Sequence, residues 1–539
     1  MDLTRRDALR AGGLALAGAA VVGTASAAVT TRDLRIDSWD GTELAATLFL
    51  PSGTGEHPAV LMTHGWGSDR SMAKARAQRY VEHGYVVLKY DSRGFGESEG
   101  EVGVDGPNEV KDAQTLITWL ANHSRVLSEG DDPVVGMDGE SYAGGIQLNT
   151  AAVDDRLDAL VPRWAWHDLR YSLEPNGRPL DGAESYEDGV VKLGWAAALF
   201  GLGTAGSRGV TAGGNHHPDT YDTEGLSPRI HEALVKGLAT NDIPDDEEAW
   251  FRARSPSHKL AAIDVPTLLI SGWVDTLFTP KEAVANFRGL RETGTDARLL
   301  LFEGGHVAGP GLLPGNEHTD AAALAWLDTH LKGDGASDQP VVEFFDEQTA
   351  TYRAAETIEP VGRDDPSLAV SEVLGSGSTV VANSIAPTST SHFLPVDRDA
   401  TETTAMRIDV PVERETTVFG APEVELTATL LGTEARLFLK VYHVTDEGQT
   451  LVDGQVTPTR LTGAPGETVS ETVSMEPFYR EFAPGDTLRF VVATSDSGHA
   501  SSRQSAGVEI SHDETTITYP TRRALGAPSA DHAAGDPSS

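Results

Sequence analysis

A short apolar run that ends in a cluster of small residues, at 134–145, most constrains the fold of this chain. Val134–Met137 has the character of a buried strand, Gly139 lies two positions before Ser141, and small residues fill positions 143–145. This pattern is typical of a strand that turns sharply into a helix, because small residues let the two backbones approach closely. The residue at the apex, Ser141, is then strained and exposed. The alternative is that Ser141 only caps a helix.

Two further reactive side chains follow other predicted strands. The run Val265–Gly272 has the pattern of a buried parallel strand, and Asp275 comes just after it. A third run, at 298–302, ends in a glycine-containing loop that carries His306. Ligand and catalytic groups gather at the carboxyl ends of parallel strands in open α/β sheets. Asp275 and His306 are therefore predicted to lie at one edge of the sheet.

The residues after Asp275 have the form of a helix start. Thr279 and Glu282 have the spacing of a capping box, and Pro280 occupies the first helical position. Because Thr279 can cap this helix, Asp275 is predicted to be available for another role.

The order Ser141, Asp275, His306 is the chain order of a catalytic triad in α/β-hydrolases. A serine hydroxyl is a poor nucleophile near neutral pH until a base takes its proton, and a histidine can take that proton and return it to the leaving group. An aspartate holds the imidazole in the required tautomer and stabilises its cation. We predict these roles for Ser141, His306 and Asp275 respectively; the alternative leaves each as ordinary polar surface.

Backbone N–H groups are predicted to bind the developing oxyanion. The apolar run at 58–63 leads into His64, Gly65 and Trp66. In this fold the loop after such a strand supplies one donor, and the residue after the nucleophile supplies the other. This indicates Trp66 and Tyr142, with a plain loop as the alternative for the first.

The charge balance excludes several classes of partner. Acidic residues number 81 against 42 basic ones, for a formal net charge of −39, and they are spread along the whole chain. Such a surface repels nucleic acid and anionic membranes. It favours a hydrated surface adapted to high salt over specific binding of cationic partners. Cysteine is absent, which excludes disulfides, a thiol nucleophile and thiolate metal sites.

The first 27 residues have the form of a twin-arginine signal peptide. Arg5 and Arg6 precede an apolar run that extends to about Val22, and Ala25–Ala27 resembles a cleavage site. The run is short and weakly hydrophobic for a permanent membrane anchor. We therefore expect export, with a secreted mature protein.

The pattern of elements divides the remaining chain into units. Strands and helices alternate over 28–163, loops and short helical pieces over 164–255 indicate an inserted cap, and the sheet is completed over 256–335. Residues 336–522 read as alternating strands without a convincing helix, and 523–539 as a disordered tail. The predicted class is α/β, with a doubly wound sheet and helical cap, followed by an all-β jelly-roll domain.

Several of these motifs together resemble the X-Pro dipeptidyl-peptidase and cocaine-esterase-like family of serine hydrolases. They are the turn at 139–144, the loop at 91–100, Ser271–Asp275 and the loop of His306. The resemblance covers nearly all of the mature chain. It implies an α/β-hydrolase domain, a helical cap and a C-terminal jelly roll. The mechanism predicted for Ser141, His306 and Asp275 requires no cofactor. Family members cleave Xaa-Pro dipeptides from peptide N-termini or hydrolyse esters and amides of small acyl groups.

One motif departs from the family pattern. Some members place a tyrosine side chain in the oxyanion hole after the first core strand, where this chain has His64–Gly67. The substrate preference of those members is therefore not carried over.

Aromatic residues near the predicted site are candidates for an apolar acyl pocket, with core packing as the alternative for each. The candidates are Trp164, Trp166, Trp273 and Phe278, together with Trp66 and Trp195.

Two other groups are assigned no catalytic role. His216 and His217 lie in a polar stretch, and we predict surface residues there and no metal site. Asp91 and Arg93 are predicted to pair and brace their loop.

These observations predict a secreted serine hydrolase that works through an acyl-enzyme on a small peptide or ester, most simply of the X-Pro dipeptidyl-peptidase type. A carboxylesterase or amino-acid ester hydrolase is the alternative with the same chemistry. A peptidase of this type needs an acidic anchor for the substrate ammonium, and the cap contains several candidates. A different class, glycan or surface binding through the β domain without catalysis, is the third reading.

Overall fold

The computed structural model describes residues 29–130, 132–175, 189–208, 223–243, 245–306, 316–333, 339–358, 366–382, 405–496, 498–504 and 506–522. The predicted signal peptide, the predicted tail and the His216–His217 pair lie outside the described residues. Within these ranges, no helix combines the length and the apolar character needed to span a bilayer.

The first part of the chain forms one large mixed sheet. Its strands are β1 (Thr30–Asp37), β2 (Glu43–Leu50), β3 (Ala59–Met62), β4 (Val86–Tyr90), β8 (Val135–Glu140), β9 (Leu157–Arg163), β11 (Thr267–Gly272), β12 (Ala297–Phe302), β13 (Val342–Asp346) and β14 (Thr351–Ala355). The short strands between them are β5 (Gly100–Val102), β6 (Ser128–Glu129), β7 (Asp132–Pro133) and β10 (Thr223–Leu226). The strand order is β1-β2-β4-β3-β8-β9-β11-β12-β13-β14.

The central strands of this sheet are parallel, from β4 to β13, and the pairs at both ends are antiparallel. Every residue of β3, β4, β8 and β11 is buried, because helices cover both faces. The parallel arrangement brings the carboxyl ends of β3, β8, β11 and β12 to one edge.

Helices follow the strands as the sequence pattern predicts. They are α1 (Lys74–Glu82), α2 (Pro107–Ala121), α3 (Tyr142–Ala151), α8 (Pro280–Glu292) and α9 (Glu317–Leu327), with the cap helices α4 (Leu169–Leu173), α5 (Leu193–Gly206), α6 (Pro228–Thr240) and α7 (Glu248–Arg254). Short helical turns lie at Asp245–Glu247, Pro256–His258, Leu260–Ala262 and Asp328–Lys332. Helix α2 shows why such segments are helical, because its buried residues Ala113, Leu116, Ile117 and Leu120 repeat at helical spacing.

The C-terminal part is built of antiparallel sheets. Its strands are β15 (Ser367–Ala369), β16 (Ser378–Ala382), β17 (Met406–Pro411), β18 (Thr416–Gly420), β19 (Glu423–Leu430), β20 (Glu434–Thr445), β21 (Gly448–Leu451), β22 (Thr457–Thr462), β23 (Thr468–Ser474), β24 (Phe478–Phe482), β25 (Thr487–Ala493), β26 (Gly507–Ser511), β27 (Thr516–Thr518) and β28 (Thr521–Arg522). Apolar side chains from both larger sheets pack into one core. The predicted fold class, an α/β unit followed by an all-β unit, is confirmed.

Two details of the C-terminal part differ from the sequence reading. Strands β13 and β14 extend the α/β sheet, because β13 pairs in parallel with β12. A strand pattern alone does not identify the sheet that a strand joins. A one-turn helix, α10 (Val370–Leu374), also lies among the strands, although no helix was expected there.

Candidate active site

Ser141 lies at the apex of the predicted strand–turn–helix. Strand β8 ends at Glu140 and helix α3 begins at Tyr142, so Ser141 alone makes the turn, with φ 59° and ψ −117°. A positive φ is unusual for a residue other than glycine and marks local strain. A Cβ on Gly139 would lie 2.5 Å from the Cβ of Ala143. The small residues are therefore needed for the close approach of strand and helix.

Ser141, His306 and Asp275 lie in hydrogen-bond contact. The Ser141 Oγ is 2.7 Å from His306 Nε2, and His306 Nδ1 is 2.7 Å from Asp275 Oδ2. Because the carboxylate only accepts, Nδ1 carries the proton, and Nε2 is left to accept the proton of the serine hydroxyl. The sequence separates these residues by 165 and 31 positions, and the sheet edge brings them together.

The Asp275 carboxylate is held by four N–H groups. Its Oδ1 accepts from the backbone N–H groups of Leu277 and Phe278, and its Oδ2 accepts from the backbone N–H and from the ring of His306. The side chain is fully buried. Its orientation toward His306 is therefore fixed by hydrogen bonds at both oxygens.

Two glycines allow the aspartate loop and the histidine loop to touch. A Cβ on Gly272 would lie 1.6 Å from the carbonyl oxygen of Gly304. Gly305 has φ 136°, and a Cβ there would lie 2.5 Å from that of Asp275. Larger residues at either place would push Asp275 away from His306.

The predicted capping box after Asp275 is wrong. The Thr279 side chain makes no cap hydrogen bond. The Glu282 carboxylate instead accepts from the backbone N–H groups of His167 and Asp168 and from the Ser172 hydroxyl. The cap covers the start of α8. Backbone N–H groups of the cap bind the Glu282 carboxylate, which in a capping box would accept from the backbone N–H of Thr279.

Glu282 gives the protein a predictable pH dependence. Burial raises the pKa of Glu282 from 4.5 to about 7, although hydrogen bonds from the Ser172 hydroxyl and two backbone N–H groups oppose the shift. Protonation of Glu282 therefore adds to the free energy of unfolding. This contribution is fully present below pH 4.5 and is lost as the pH rises through about 7. We expect Glu282→Gln to gain stability over the wild type across this range, by up to about 3 kcal/mol, since one pKa unit corresponds to about 1.4 kcal/mol.

Urea unfolding at several pH values measures this difference. Glu292→Gln is the matched control, because Glu292 lies on the same helix and is exposed. Parallel stability curves for wild type and Glu282→Gln would contradict the prediction.

The two residues predicted to supply oxyanion donors lie beside Ser141. Tyr142 is the first residue of α3, where the backbone N–H has no partner within the helix. The Trp66 ring packs edge-on against the ring of Tyr142, with centroids 5.4 Å apart, and its indole N–H donates to the Leu199 carbonyl at 2.6 Å. This arrangement is consistent with donation by Trp66 and Tyr142, which stays a prediction.

His64 braces the loop that carries Trp66. Its ring is buried, and burial lowers its pKa. Nε2 accepts from the Ser92 N–H at 3.1 Å, so the proton lies on Nδ1, which donates to the Gly65 carbonyl at 2.8 Å. A neutral His64 therefore ties this loop to the neighbouring one.

An apolar cavity of about 150 Å³ opens onto Ser141. The predicted pocket residues Trp166 and Phe278 line it, together with Trp66 and Tyr142. The rest of the lining comes mainly from the cap: Val104, Leu169, Leu173, Val191, Leu193, Ala196, Leu199, Phe200, Ile230, Ala233, Leu234, Gly237, Leu238, Ile243, Trp250 and Phe251. Among these described residues, none carries a charge.

The sequence reading missed most of these cap residues. The apolar spacing of Ile230, Leu234 and Leu238 along α6 is the signal that could have identified them. Which side of that helix faces the cavity depends on how the cap packs.

The prediction that Trp164 and Trp273 line the pocket is wrong. Trp164 is buried on the other side of the sheet, where its ring packs against Phe302 at 5.3 Å. Trp273 is part of the main core, and its indole N–H donates to the Phe345 carbonyl at 3.0 Å. Trp273 lies two positions before Asp275 in the sequence, yet neither tryptophan side chain lines the cavity.

The predicted pair Asp91–Arg93 is also wrong. Asp91 is paired with Arg70, whereas Arg93 is paired with Asp112 at 2.6 Å and with Asp40 at 3.1 Å. The two side chains brace the loop through different partners. Within the described ranges, no three His, Asp or Glu side chains converge so that they could hold a metal ion.

Two family models together match most of the chain. The sequence model of X-Pro dipeptidyl-peptidase (S15 family) matches residues 40–308, and that of the X-Pro dipeptidyl-peptidase C-terminal non-catalytic domain matches residues 311–532. Cocaine esterase from a Rhodococcus species is 27% identical over 338 residues, which are 57% of this chain and 56% of that protein. The chain spans about half the length of the curated relatives it matches.

Solved structures with this fold cover nearly the whole chain. A CocE/NonD family hydrolase from Staphylococcus aureus has a TM-score of 0.67 at 15% identity. The match covers 92% of this chain and 94% of the hydrolase. An α-amino acid ester hydrolase has a TM-score of 0.63 at 16% identity. The match covers 94% of this chain and 98% of that hydrolase. At this identity the likeness shows the fold.

Proposed function

Because the chain belongs to the X-Pro dipeptidyl-peptidase (S15) family and is a serine hydrolase, we propose that it cleaves esters of uncharged, apolar acyl groups, with Ser141 as its nucleophile. The observation that carries this proposal is the cavity at Ser141, whose described lining is apolar and contains no carboxylate. The acyl group would fill the cavity while its carbonyl carbon lies next to the Ser141 hydroxyl.

The hydrogen bonds around Ser141 support a two-step reaction. His306 Nε2 takes the hydroxyl proton as Oγ attacks the carbonyl carbon, and the backbone N–H groups of Tyr142 and Trp66 hold the oxyanion. The imidazolium then protonates the leaving alkoxide, which leaves an acyl-enzyme. Water, deprotonated by His306, releases the acid and restores the serine. Asp275 keeps the proton on Nδ1 throughout.

The apolar lining favours esters over Xaa-Pro peptides. A dipeptidyl-peptidase binds the ammonium of its substrate, and an ammonium buried without a partner costs several kcal/mol. The described lining has no acidic side chain to pair with it. The match to the S15 family model favours the peptidase as the second candidate.

One matched pair of substrates separates the two candidates. Methyl hexanoate and the methyl ester of norleucine differ only by an α-ammonium, which is charged at about pH 6. We expect kcat/KM to be at least about tenfold higher for the hexanoate. Ser141→Ala gives the background rate. Faster cleavage of the norleucine ester, or of alanyl-prolyl p-nitroanilide, would contradict the proposal and require a carboxylate in the pocket.

The proposal includes export of the folded enzyme. It is supported by the twin arginines at positions 5 and 6 and by the apolar run after them.

A further inference from the structure

The loop that carries Asp275 is held from outside the α/β sheet. From the cap, the Lys192 ammonium donates to the Leu277 carbonyl at 2.8 Å, and the Trp195 indole N–H donates to the Thr276 hydroxyl at 3.1 Å. These bonds fix the half of the loop that follows Asp275.

The other half of the loop is held by the C-terminal domain. The Gln455 side-chain amide donates to the Trp273 carbonyl at 2.7 Å and to the Asp275 carbonyl at 2.9 Å. A glutamine amide has two N–H donors, and both bind the main chain on either side of residue 274. Gln455 is 8% exposed, and the two residues whose carbonyls it binds, Trp273 and Asp275, are also buried.

Gln455 itself projects from a tightly held turn. It follows the helical turn Val452–Gly454 between β21 and β22, and its own N–H donates to the Val452 carbonyl at 3.1 Å. Within the turn, Asp453 has φ 51° and pairs with Arg480 at 3.2 Å. The amide is therefore presented to the Asp275 loop by a constrained backbone.

The position of this loop matters because Asp275 acts through hydrogen bonds of fixed length. The carboxylate accepts from Leu277, Phe278 and His306 at 2.7–3.0 Å. A shift of the main chain at residue 275 moves both oxygens relative to His306. Misplacement of a catalytic group by about 1 Å can cost about 100-fold in rate.

We propose that Gln455 is a positioning residue for the reaction, through which the C-terminal domain sets the geometry of Asp275 and His306. This inference rests on the proposed function of Ser141. It gives the C-terminal domain a part in turnover, although none of the domain's described residues lines the cavity at Ser141.

The test compares three variants with the wild type. Gln455→Met keeps the approximate volume without donors, and Gln455→Glu keeps the shape with an acceptor in place of the amide. Gln449→Met is the matched control, because Gln449 lies in the same domain and accepts from Arg489 at 2.6 Å. The readouts are kcat and KM on an apolar ester, the rate of fluorophosphonate labelling at Ser141, and thermal unfolding.

In folded Gln455→Met and Gln455→Glu we expect kcat to fall by about 10- to 100-fold, with KM nearly unchanged and the labelling rate reduced in proportion. Gln449→Met should match the wild type. If the wild type is labelled at Ser141 and the Gln455 variants keep the wild-type kcat, this inference alone is overturned. An equal loss of kcat in Gln449→Met would also overturn it. A wild type that is not labelled at Ser141 would overturn the proposed function and this inference with it.

Discussion

Replacement of Ser141 by alanine is expected to reduce turnover by a factor of about 10⁴ or more, because it removes the hydroxyl that is proposed to form the acyl-enzyme. The hydroxyl is replaced by a hydrogen, and the His306 Nε2 that lies 2.7 Å from Oγ loses its partner. Ala tolerates the turn less well than Gly, but Ser141 already adopts φ 59° with a Cβ present. Folding should therefore be retained.

The measurement is steady-state hydrolysis combined with fluorophosphonate labelling and peptide mapping. Ser378→Ala is the matched control, because this hydroxyl is exposed on the C-terminal domain and contacts Glu509. Labelling of the wild type at a serine other than Ser141, or turnover by Ser141→Ala near the wild-type rate, would refute the assignment.

Asp275→Asn is expected to lower kcat by about 10⁴ while the protein keeps its size and shape at this position. Both carboxylate oxygens accept N–H donors, so an amide nitrogen meets a donor in either orientation. If the nitrogen faces His306, the ring must carry its proton on Nε2 and cannot accept the proton of Ser141. If it faces Leu277 and Phe278, two backbone donors lose their acceptor.

The C-terminal domain offers a control for this substitution. His443 and Asp486 form a similar pair at 2.7 Å in that domain, so Asp486→Asn tests the loss of an aspartate–histidine contact outside the candidate site. We expect Asp486→Asn to keep the wild-type kcat. Equal activity of Asp275→Asn and the wild type would show that Asp275 does not orient His306.

Local patterns predicted the scaffold well because they record local constraints. The turn at Ser141 needs small residues wherever it occurs, so Gly139 and the residues after Ser141 mark it in the sequence. The carboxyl ends of β11 and β12 follow from apolar runs of strand length. Parallel strands then bring Asp275 and His306 to the same edge of the sheet, which is why their contact could be predicted across 31 residues.

The residues that line the pocket could not be predicted from local sequence patterns, because they depend on how distant segments pack. Trp164 and Trp166 lie two positions apart, yet only Trp166 lines the cavity, while Trp164 packs on Phe302. The chain bends at Trp164, where φ is 34°, so neighbouring tryptophans do not share one environment. Adjacency in sequence was therefore a poor guide to the lining.

Residues 134–306 thus specify the strand–turn–helix at Ser141, the order of the three reactive side chains and the edge of the sheet where they lie, because each depends on short-range backbone geometry. Three features depend on contacts between distant segments. They are the hydrogen-bond partners of Glu282, the apolar lining that the cap contributes, and the hydrogen bonds from the Gln455 amide to the main chain at Trp273 and Asp275, which are 182 and 180 positions away in the sequence. No local pattern encodes such contacts, since they form only when the cap and the C-terminal domain pack against the sheet.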